Sequence, residues 1–313
     1  MNLLNDLRVL PFRFRRKLCH WRGDARGVAK WSNRIAHAAT LPPLIETFDD
    51  SVHPDISLEI TTACNYRCPF CPQSSVQRES GEMSMDDLNH VVEGLSRIGF
   101  EKNLVLSVNN EPFAHPQILA FCELISRRLP GATCSLISNG SLITRDQLAF
   151  LAALPVPPHL LIDDYTPDHG IIVRLKEWMK DLPGGSRVTV AYLERSMTER
   201  LSNRAGHVPD ASSAVEDYRN VVCTWPFIGV FVRFDLQAFL CCSDFRHEVI
   251  MGNLREQSVM EIWQGARYRD VRRKMLATQR ADLPLCCRCD AEWFGLPQHC
   301  RVQRRARRHL ATP

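Results

Sequence analysis

The chain has 313 residues, of which 45% are hydrophobic and 24% are charged, so it can bury one or two cores. No apolar run approaches the ~18 residues of a membrane-spanning helix. The interrupted, basic first residues do not resemble a secretion signal, and we therefore expect a cytoplasmic protein. Its 13 cysteines occur mostly in clusters, which in a reducing compartment indicates metal binding and argues against disulfides.

The net charge of +4 is unevenly distributed along the chain. Residues 1–30 carry eight basic and two acidic side chains, and residues 301–313 carry five arginines and no acid, so the remaining body is net −7. We interpret both ends as solvated basic segments. Because no basic stripe is interleaved with aromatic residues, the sequence does not favour nucleic acid as a partner.

Short apolar runs alternate with helical patterns between residues 55 and 195. Strands are predicted at residues 56–61, 104–108, 133–138, 159–163 and 188–193. Helices are predicted between them at residues 85–98, 117–129, 145–154 and 171–182, with Ser84 and Thr144 as N-caps. This alternation predicts βαβ units and a parallel sheet.

The pattern changes after about residue 205. A β-hairpin that turns at Asp235 is predicted over 227–234 and 238–242, followed by one helix over 258–276 and the segment PLCCRC. We therefore expect four regions along the chain. They are a basic N-terminal extension (1–50), an α/β region (51–205), a cysteine-rich module (206–292) and a basic C-terminal tail (293–313).

Polar and cysteine-bearing segments follow the first four predicted strands. Three cysteines follow the first strand, NNEP (109–112) the second, SNG (138–140) the third and DDYTPD (163–168) the fourth. The carboxyl ends of parallel strands meet at one edge of a sheet, where functional groups gather. We therefore expect these segments to form one site on that edge.

The segment TTACNYRCPFCP places Cys64, Cys68 and Cys71 at C-x3-C-x2-C spacing. Structural zinc needs four closed ligands, and no fourth Cys or His lies nearby in the sequence. Ferredoxin spacings also use four cysteines. A four-iron cube held by three cysteines keeps one iron open to a non-protein ligand. Spacing favours this open cluster, with zinc and a redox dithiol as alternatives.

The segment CNYRCPFC resembles the CxxxCxΦC loop of the radical S-adenosylmethionine (radical SAM) superfamily, with Phe70 at the aromatic position. NNEP stands where that family usually has GGEP, so two asparagines replace two glycines; in the family this segment lies along the methionyl amino group of SAM. SNG resembles the motif near the SAM ribose. The resemblance implies a SAM-binding [4Fe–4S] cluster on Cys64, Cys68 and Cys71. It further implies these cofactor-binding residues: Phe70, Asn109, Asn110, Glu111, Pro112, Ser138 and Asn139.

The C-terminal cysteines resemble the Twitch module, the short relative of the SPASM domain. The matching features are Cys223, a hairpin ending at Cys241, GN at 252–253, EIW at 261–263 and the CxxC of Cys286 and Cys289. This resemblance implies a second, auxiliary [4Fe–4S] cluster on those four cysteines. Cys242 and Cys287 are the alternatives to Cys241 and Cys286, and zinc remains the alternative metal.

The fold implied by both resemblances is α/β: a partial (β/α) TIM-type barrel of five or six parallel strands with a small C-terminal β-hairpin plus helix cluster-binding module. The implied enzyme reductively cleaves SAM to a 5′-deoxyadenosyl radical that abstracts hydrogen from a substrate. The auxiliary cluster would assist dehydrogenation, epimerisation or a related rearrangement.

Residues 1–50 look too short and too basic for a leader-peptide recognition domain. We therefore expect a small polar substrate, either carbohydrate-like or another natural-product intermediate, and a reductant such as flavodoxin or ferredoxin. The alternatives are a peptide maturation enzyme and a non-catalytic iron–sulfur electron-transfer protein.

Two further residues are predicted to act on the substrate or on SAM. Arg204, in LSNRAG (201–206), can hold the SAM carboxylate or a substrate oxygen through its planar donors, or form an ordinary salt bridge. Asp163 ends the fourth predicted strand and can bind a hydroxyl group or move a proton, with structural capping as the alternative.

Overall fold

The computed structural model of the protein describes residues 48–198, 202–208, 223–277 and 279–290. The chain divides into two compact units, one of residues 53–292 and the other of residues 1–52 and 293–313. The predicted basic extension and basic tail lie almost wholly outside the described residues. The architecture below is that of the unit 53–292.

Eight strands form one sheet in the order β5-β4-β3-β2-β1-β6-β7-β8. They are β1 Asp55–Glu59, β2 Asn103–Val105, β3 Thr133–Ser138, β4 His159–Asp164, β5 Val190–Glu194, β6 Gly229–Arg233, β7 Gln237–Phe239 and β8 Ile250–Asn253. Every pair from β5 through β1 to β6 is parallel, whereas β6–β7 and β7–β8 are antiparallel. The predicted α/β class with a parallel sheet is confirmed.

The predicted hairpin is confirmed as β6 and β7, and its position in the sheet is new. Strand β6 pairs in parallel with β1 along its whole length, from Asp55 opposite Gly229 to Glu59 opposite Arg233. The sheet of the α/β region therefore continues without interruption into the cysteine-rich region. Strand β8 was not predicted from the sequence.

Six helices are described, namely α1 Met85–Arg97, α2 Ile118–Arg128, α3 Arg145–Ala153, α4 Gly170–Asp181, α5 Val259–Trp263 and α6 Ala266–Leu276. The predicted caps are confirmed: the Ser84 side chain accepts from the backbone of Asp87, and Thr144 forms a capping box with Gln147. In the described part of the chain no helix is long and apolar enough to cross a membrane.

The prediction of a single helix over 258–276 is wrong, because the helix is interrupted between α5 and α6. Gly265 is extended there (φ −68°, ψ 161°) and is the N-cap of α6. A side chain at this position would bring its Cβ within 2.9 Å of the Glu261 carbonyl oxygen. The close approach of backbone to backbone therefore requires glycine, and the helix begins again one residue later.

Candidate active site

The three-cysteine loop leaves the end of β1 and folds back on itself. The backbone N–H of Cys71 donates to the Cys68 carbonyl over 3.0 Å, and Arg67 Nη1 donates to the Cys64 carbonyl over 2.6 Å. Burial, together with the neighbouring thiolates of Cys71 and Cys64, raises the pKa of the Cys68 thiol to about 12. The three thiols are therefore close enough to interact electrostatically, as ligands of one centre must be.

Glu111 of NNEP joins three of the predicted strand-end segments. Its backbone N–H donates to the carbonyl of Ala63 in the cysteine loop over 3.0 Å. Its carboxylate accepts from Ser138 Oγ at 2.7 Å, from the Asn139 N–H at 2.8 Å and from the Phe113 N–H at 3.1 Å. The residue is 1% exposed, so this carboxylate organises the site from within.

A second link ties the cysteine loop to SNG. Asn139 Nδ2 donates to Asn65 Oδ1 over 3.0 Å, and Asn65 Nδ2 donates to Ser141 Oγ over 2.8 Å. Asn65 is the residue directly after Cys64. The structure thus brings the cysteine loop, NNEP and SNG together, as the strand order predicted.

The two asparagines of NNEP make different contacts. Asn109 Nδ2 donates to the Cys242 carbonyl over 3.0 Å, which connects this site to the C-terminal cysteines. Asn110 Oδ1 accepts from the Val108 N–H at 2.9 Å. Within the described residues, its Nδ2 is buried and has no hydrogen-bond partner, and such a donor is costly unless a ligand accepts from it. Pro112 begins a short 3-10 turn directly after this segment.

The two acids that end β4, Asp163 and Asp164, make different contacts. Asp164 is fully buried and accepts from the Thr166 N–H, the Thr166 hydroxyl and the Ile172 N–H, which is a structural capping role. Asp163 accepts instead from Arg195 Nε over 2.9 Å. Phe70 packs on Tyr165 with ring centroids 5.3 Å apart, so the cysteine loop also contacts this segment.

The face of the sheet that carries Asp163 stays partly open. Ile137 is 38% exposed and Leu193 is 37% exposed. The strand registers place Ile137 beside Leu161 and Leu193 beside Asp163, on the same side of the sheet. Ile137, Leu161 and Leu193 therefore form an apolar strip on the side of the sheet that carries Asp163.

The C-terminal cysteines gather into a second cluster of thiols. Burial, followed by the thiolates of Cys242, Cys286, Cys223 and Cys289, raises the pKa of the Cys241 thiol well above its ordinary value. The four predicted ligands are thus near one another although they are far apart in sequence. The donor set fits a metal centre, because metal binding deprotonates thiols that burial otherwise keeps neutral.

The alternative ligands Cys242 and Cys287 each have a neighbour outside the predicted set of four cysteines. Burial raises the pKa of Cys242, Arg204 lowers it and Cys289 raises it, so this thiol lies near both Arg204 and Cys289. Cys287 Sγ donates to the Pro284 carbonyl over 3.1 Å and is half-buried. The choice of Cys241 over Cys242, and of Cys286 over Cys287, stays a prediction from the sequence.

In the described ranges, no three Cys, His, Asp or Glu side chains converge closely enough to hold one metal ion. A four-iron cube does not need such convergence, because its cysteines ligate separate irons at the corners of the cube. Either thiol set is therefore compatible with a cluster.

The LSNRAG segment is anchored onto the CxxC loop. Asn203 receives no predicted role from the sequence, yet its N–H donates to Asp290 over 2.7 Å and its Nδ2 donates to the Arg288 carbonyl over 2.8 Å. Arg204 and Ala205 both have left-handed backbones (φ 49° and 54°), a strained arrangement that clusters at functional sites. In the part of the chain that the structure describes, Arg204 Nε is buried without a hydrogen-bond partner.

A buried ion cluster that the sequence analysis missed joins the two cysteine regions. Arg78 donates to both carboxylate oxygens of Glu59 over 2.8 Å, and His247 Nε2 lies 3.1 Å from Glu59 Oε2. Arg78 also donates to the Asn109 carbonyl over 3.3 Å and stacks on Phe245. The sequence signal was an acid, Glu59, inside the first predicted strand. Its partners could not be predicted, because they are 19 and 188 positions away along the chain.

Comparison with known proteins agrees with this geometry. The family model of the radical SAM superfamily matches residues 58–186, and that of an iron–sulfur cluster-binding domain, SPASM, matches residues 223–290. The chain therefore belongs to the radical SAM superfamily and carries a SPASM domain. It is an enzyme of the oxidoreductase type that binds SAM and iron–sulfur clusters, and its fold is the partial TIM-type barrel of that superfamily.

Three similar proteins illustrate the match. The S-adenosyl-L-methionine-dependent 2-deoxy-scyllo-inosamine dehydrogenase of Niallia circulans is 26% identical over 245 residues, which are 77% of this chain and 94% of that protein. The crystal structure of BtrN in complex with AdoMet and 2-DOIA superposes with a TM-score of 0.66 at 24% identity, over 77% of this chain and 94% of that one. That of anSMEcpe with bound AdoMet gives 0.51 at 15% identity, over 69% and 83%. The two structures establish likeness of fold.

Proposed function

We propose that Cys64, Cys68 and Cys71 hold a [4Fe–4S] cluster with one iron open to SAM, and that Cys223, Cys241, Cys286 and Cys289 hold an auxiliary [4Fe–4S] cluster. When bound, the first cluster and SAM supply a 5′-deoxyadenosyl radical. The observation that supports this proposal is the set of hydrogen bonds made by Glu111, which join NNEP to SNG and to the loop of three cysteines.

The residues around the cysteine loop receive separate roles in this proposal. Asn110 Nδ2 is the buried donor that SAM satisfies, whereas Glu111 positions the site and does not contact the ligand. Phe70 closes the loop against Tyr165 and excludes water. Asn109 fixes the distance between the two cysteine regions through its bond to the Cys242 carbonyl.

We propose further that the substrate is a small polar, carbohydrate-like molecule whose hydroxyl-bearing carbon is dehydrogenated. The relative that matches along 94% of its length is a dehydrogenase of 2-deoxy-scyllo-inosamine. Oxidising such a carbon to a carbonyl removes one hydrogen atom from carbon, one proton from oxygen and one electron. Asp163, at the edge of the open face, binds the hydroxyl group and accepts its proton, and Arg204 orients a substrate oxygen or the SAM carboxylate.

Isotope transfer tests this assignment directly. Anaerobically reconstituted protein with SAM and a chemical reductant is offered cyclitols and aminocyclitols deuterated at their hydroxyl-bearing carbons. We expect deuterium in 5′-deoxyadenosine and a carbonyl product by mass spectrometry. Deuterium transfer from labelled peptides and from none of the cyclitols contradicts the substrate class and supports peptide maturation.

Two aspartate variants separate the role of Asp163 from a general loss of structure. D163N is expected to keep SAM cleavage and to lose most of the carbonyl product. The matched control is D146N, at an exposed carboxylate in the first turn of α3, which is expected to keep both. The predicted reductant and the cytoplasmic location rest on the sequence and stay predictions.

A further inference from the structure

Arg280 is a buried cation beside the auxiliary thiols. It lies in the 3-10 turn Arg280–Asp282, between α6 and the CxxC segment, and is 2% exposed. A buried guanidinium costs several kcal/mol in general unless negative charge and acceptors surround it. Its surroundings therefore indicate what it is there to balance.

The contacts of Arg280 are with the predicted cluster ligands. Its Nη2 donates to the Cys289 carbonyl over 2.7 Å and its Nε donates to the Cys286 carbonyl over 3.3 Å. Burial alone would lower the pKa of the guanidinium. The thiolates of Cys223, Cys289 and Cys286, together with a hydrogen bond to the Cys289 side chain, outweigh burial, so the pKa of Arg280 is raised. The same charge lowers the pKa of Cys223, which burial raises to about 11.

A four-cysteine cluster is net negative, and it becomes more negative when it is reduced. Net charge and hydrogen bonds to the sulfurs are among the factors that set the reduction potential of such a cluster. A fixed cation held on the carbonyls of Cys289 and Cys286, beside these thiolates, favours the reduced form, because it offsets the added negative charge where water cannot.

We propose that Arg280 is a positioning residue that raises the reduction potential of the auxiliary cluster. This inference rests on the proposed function, because it requires the cluster on Cys223, Cys241, Cys286 and Cys289. Arg280 thereby equips that cluster to take up the electron that substrate oxidation releases. The competing role is purely structural: the guanidinium ties the CxxC backbone and has no effect on the potential.

The test uses a background in which the auxiliary cluster is observed by itself. C64A/C68A/C71A removes the ligands of the first cluster, and the potential is measured by redox titration monitored by electron paramagnetic resonance. In this background we compare R280Q, R280K and R288Q. Arg288 is the matched control, since it lies next to Cys289 but its side chain is 46% exposed and paired with Glu248, so water screens its charge.

R280Q is expected to lower the equilibrium constant for one-electron reduction at least tenfold, which corresponds to about 59 mV. R280K, which keeps the charge, is expected to stay closer to the parent than R280Q, and R288Q to stay near the parent. A potential for R280Q equal to that of R288Q, at full iron content, overturns the proposal and leaves the proposed function intact.

Loss of iron is interpreted through the lysine variant. If R280Q holds no cluster, retention of iron and of the parental potential in R280K supports the charge role, whereas loss of iron in both variants shows a structural requirement and overturns it. If C64A/C68A/C71A itself holds no iron after reconstitution, the auxiliary cluster is absent and this inference fails with it. SAM cleavage by the unmodified chain then still reports on the first cluster separately.

Discussion

The Glu111 carboxylate is the most sharply testable element of the site. It is 1% exposed and accepts three hydrogen bonds, from Ser138 Oγ, the Asn139 N–H and the Phe113 N–H. Ser138 Oγ and the Phe113 N–H donate to Oε1, and the Asn139 N–H donates to Oε2. In E111Q one oxygen becomes an NH2 group, and placing this group at the Oε2 position keeps the two bonds at Oε1. One buried donor then loses its acceptor, at a cost of about 1–3 kcal/mol. In E111A all three donors lose theirs, so the loss is expected to be larger.

Urea unfolding of the cluster-free protein measures this loss without the complication of metal release. The control is E123Q, whose carboxylate is partly exposed and pairs with Arg127 one helical turn away; such a pair contributes about 0.3–0.5 kcal/mol. We expect E111Q to lose more free energy of unfolding than E123Q and to bind SAM more weakly after reconstitution. An E111Q variant as stable as E123Q, with unchanged SAM affinity, refutes the role of Glu111 as the organising group.

Three other predictions concern buried groups elsewhere in the chain. Burial lowers the pKa of His115 below 6.5. As the pH drops below 6.5, the unfolded chain therefore protonates this imidazole before the folded chain does, and the free energy of unfolding falls. H115Q is expected to flatten this pH dependence in urea titrations made at several pH values. E59Q leaves the buried Arg78 guanidinium uncompensated and costs about 3–5 kcal/mol, and a thermal melt unchanged from the parent argues against this ion cluster. C286S is expected to lose the iron of the auxiliary cluster while C287S retains it, as measured by iron content; the reverse pattern changes the ligand register.

Local signals predicted much of the parallel sheet and its helices. Ser84 and Thr144 were recognised as N-caps because capping depends on residues three positions away. The helix break at Gly265 was missed because the apolar period continues across it, and periodicity does not show that a side chain there would lie too close to the Glu261 carbonyl. Strand β8 has four residues and ends the described sheet beside β7, so its sequence carries little alternation to detect.

The site was predictable to the extent that its residues follow strands. The meeting of the cysteine loop with NNEP and SNG follows from parallel topology alone. The parts that were missed depend on contacts between distant segments. Arg78 reaches Glu59 across 19 positions, Asn203 reaches Asp290 across 87, and Arg280 is visible as a partner of thiols only once the CxxC loop is folded beside it.

The NNEP segment shows how a departure from the family pattern acquires a physical explanation. The sequence could state only that two asparagines replace two glycines. In the structure, the side chain of Asn109 reaches the Cys242 carbonyl over 3.0 Å, a contact that glycine cannot make. The asparagine thus adds a direct bridge between the two cysteine regions.

The central claim is that a loop of three cysteines binds an open cluster that cleaves SAM, beside a second cluster with four cysteine ligands. Iron content and 5′-deoxyadenosine formation, measured together after anaerobic reconstitution, test it most directly. We predict about eight irons per chain and SAM cleavage for the unmodified protein, and about four irons without 5′-deoxyadenosine for C64A/C68A/C71A. Cleavage that persists in that variant, or an unmodified chain that holds about four irons, contradicts the claim.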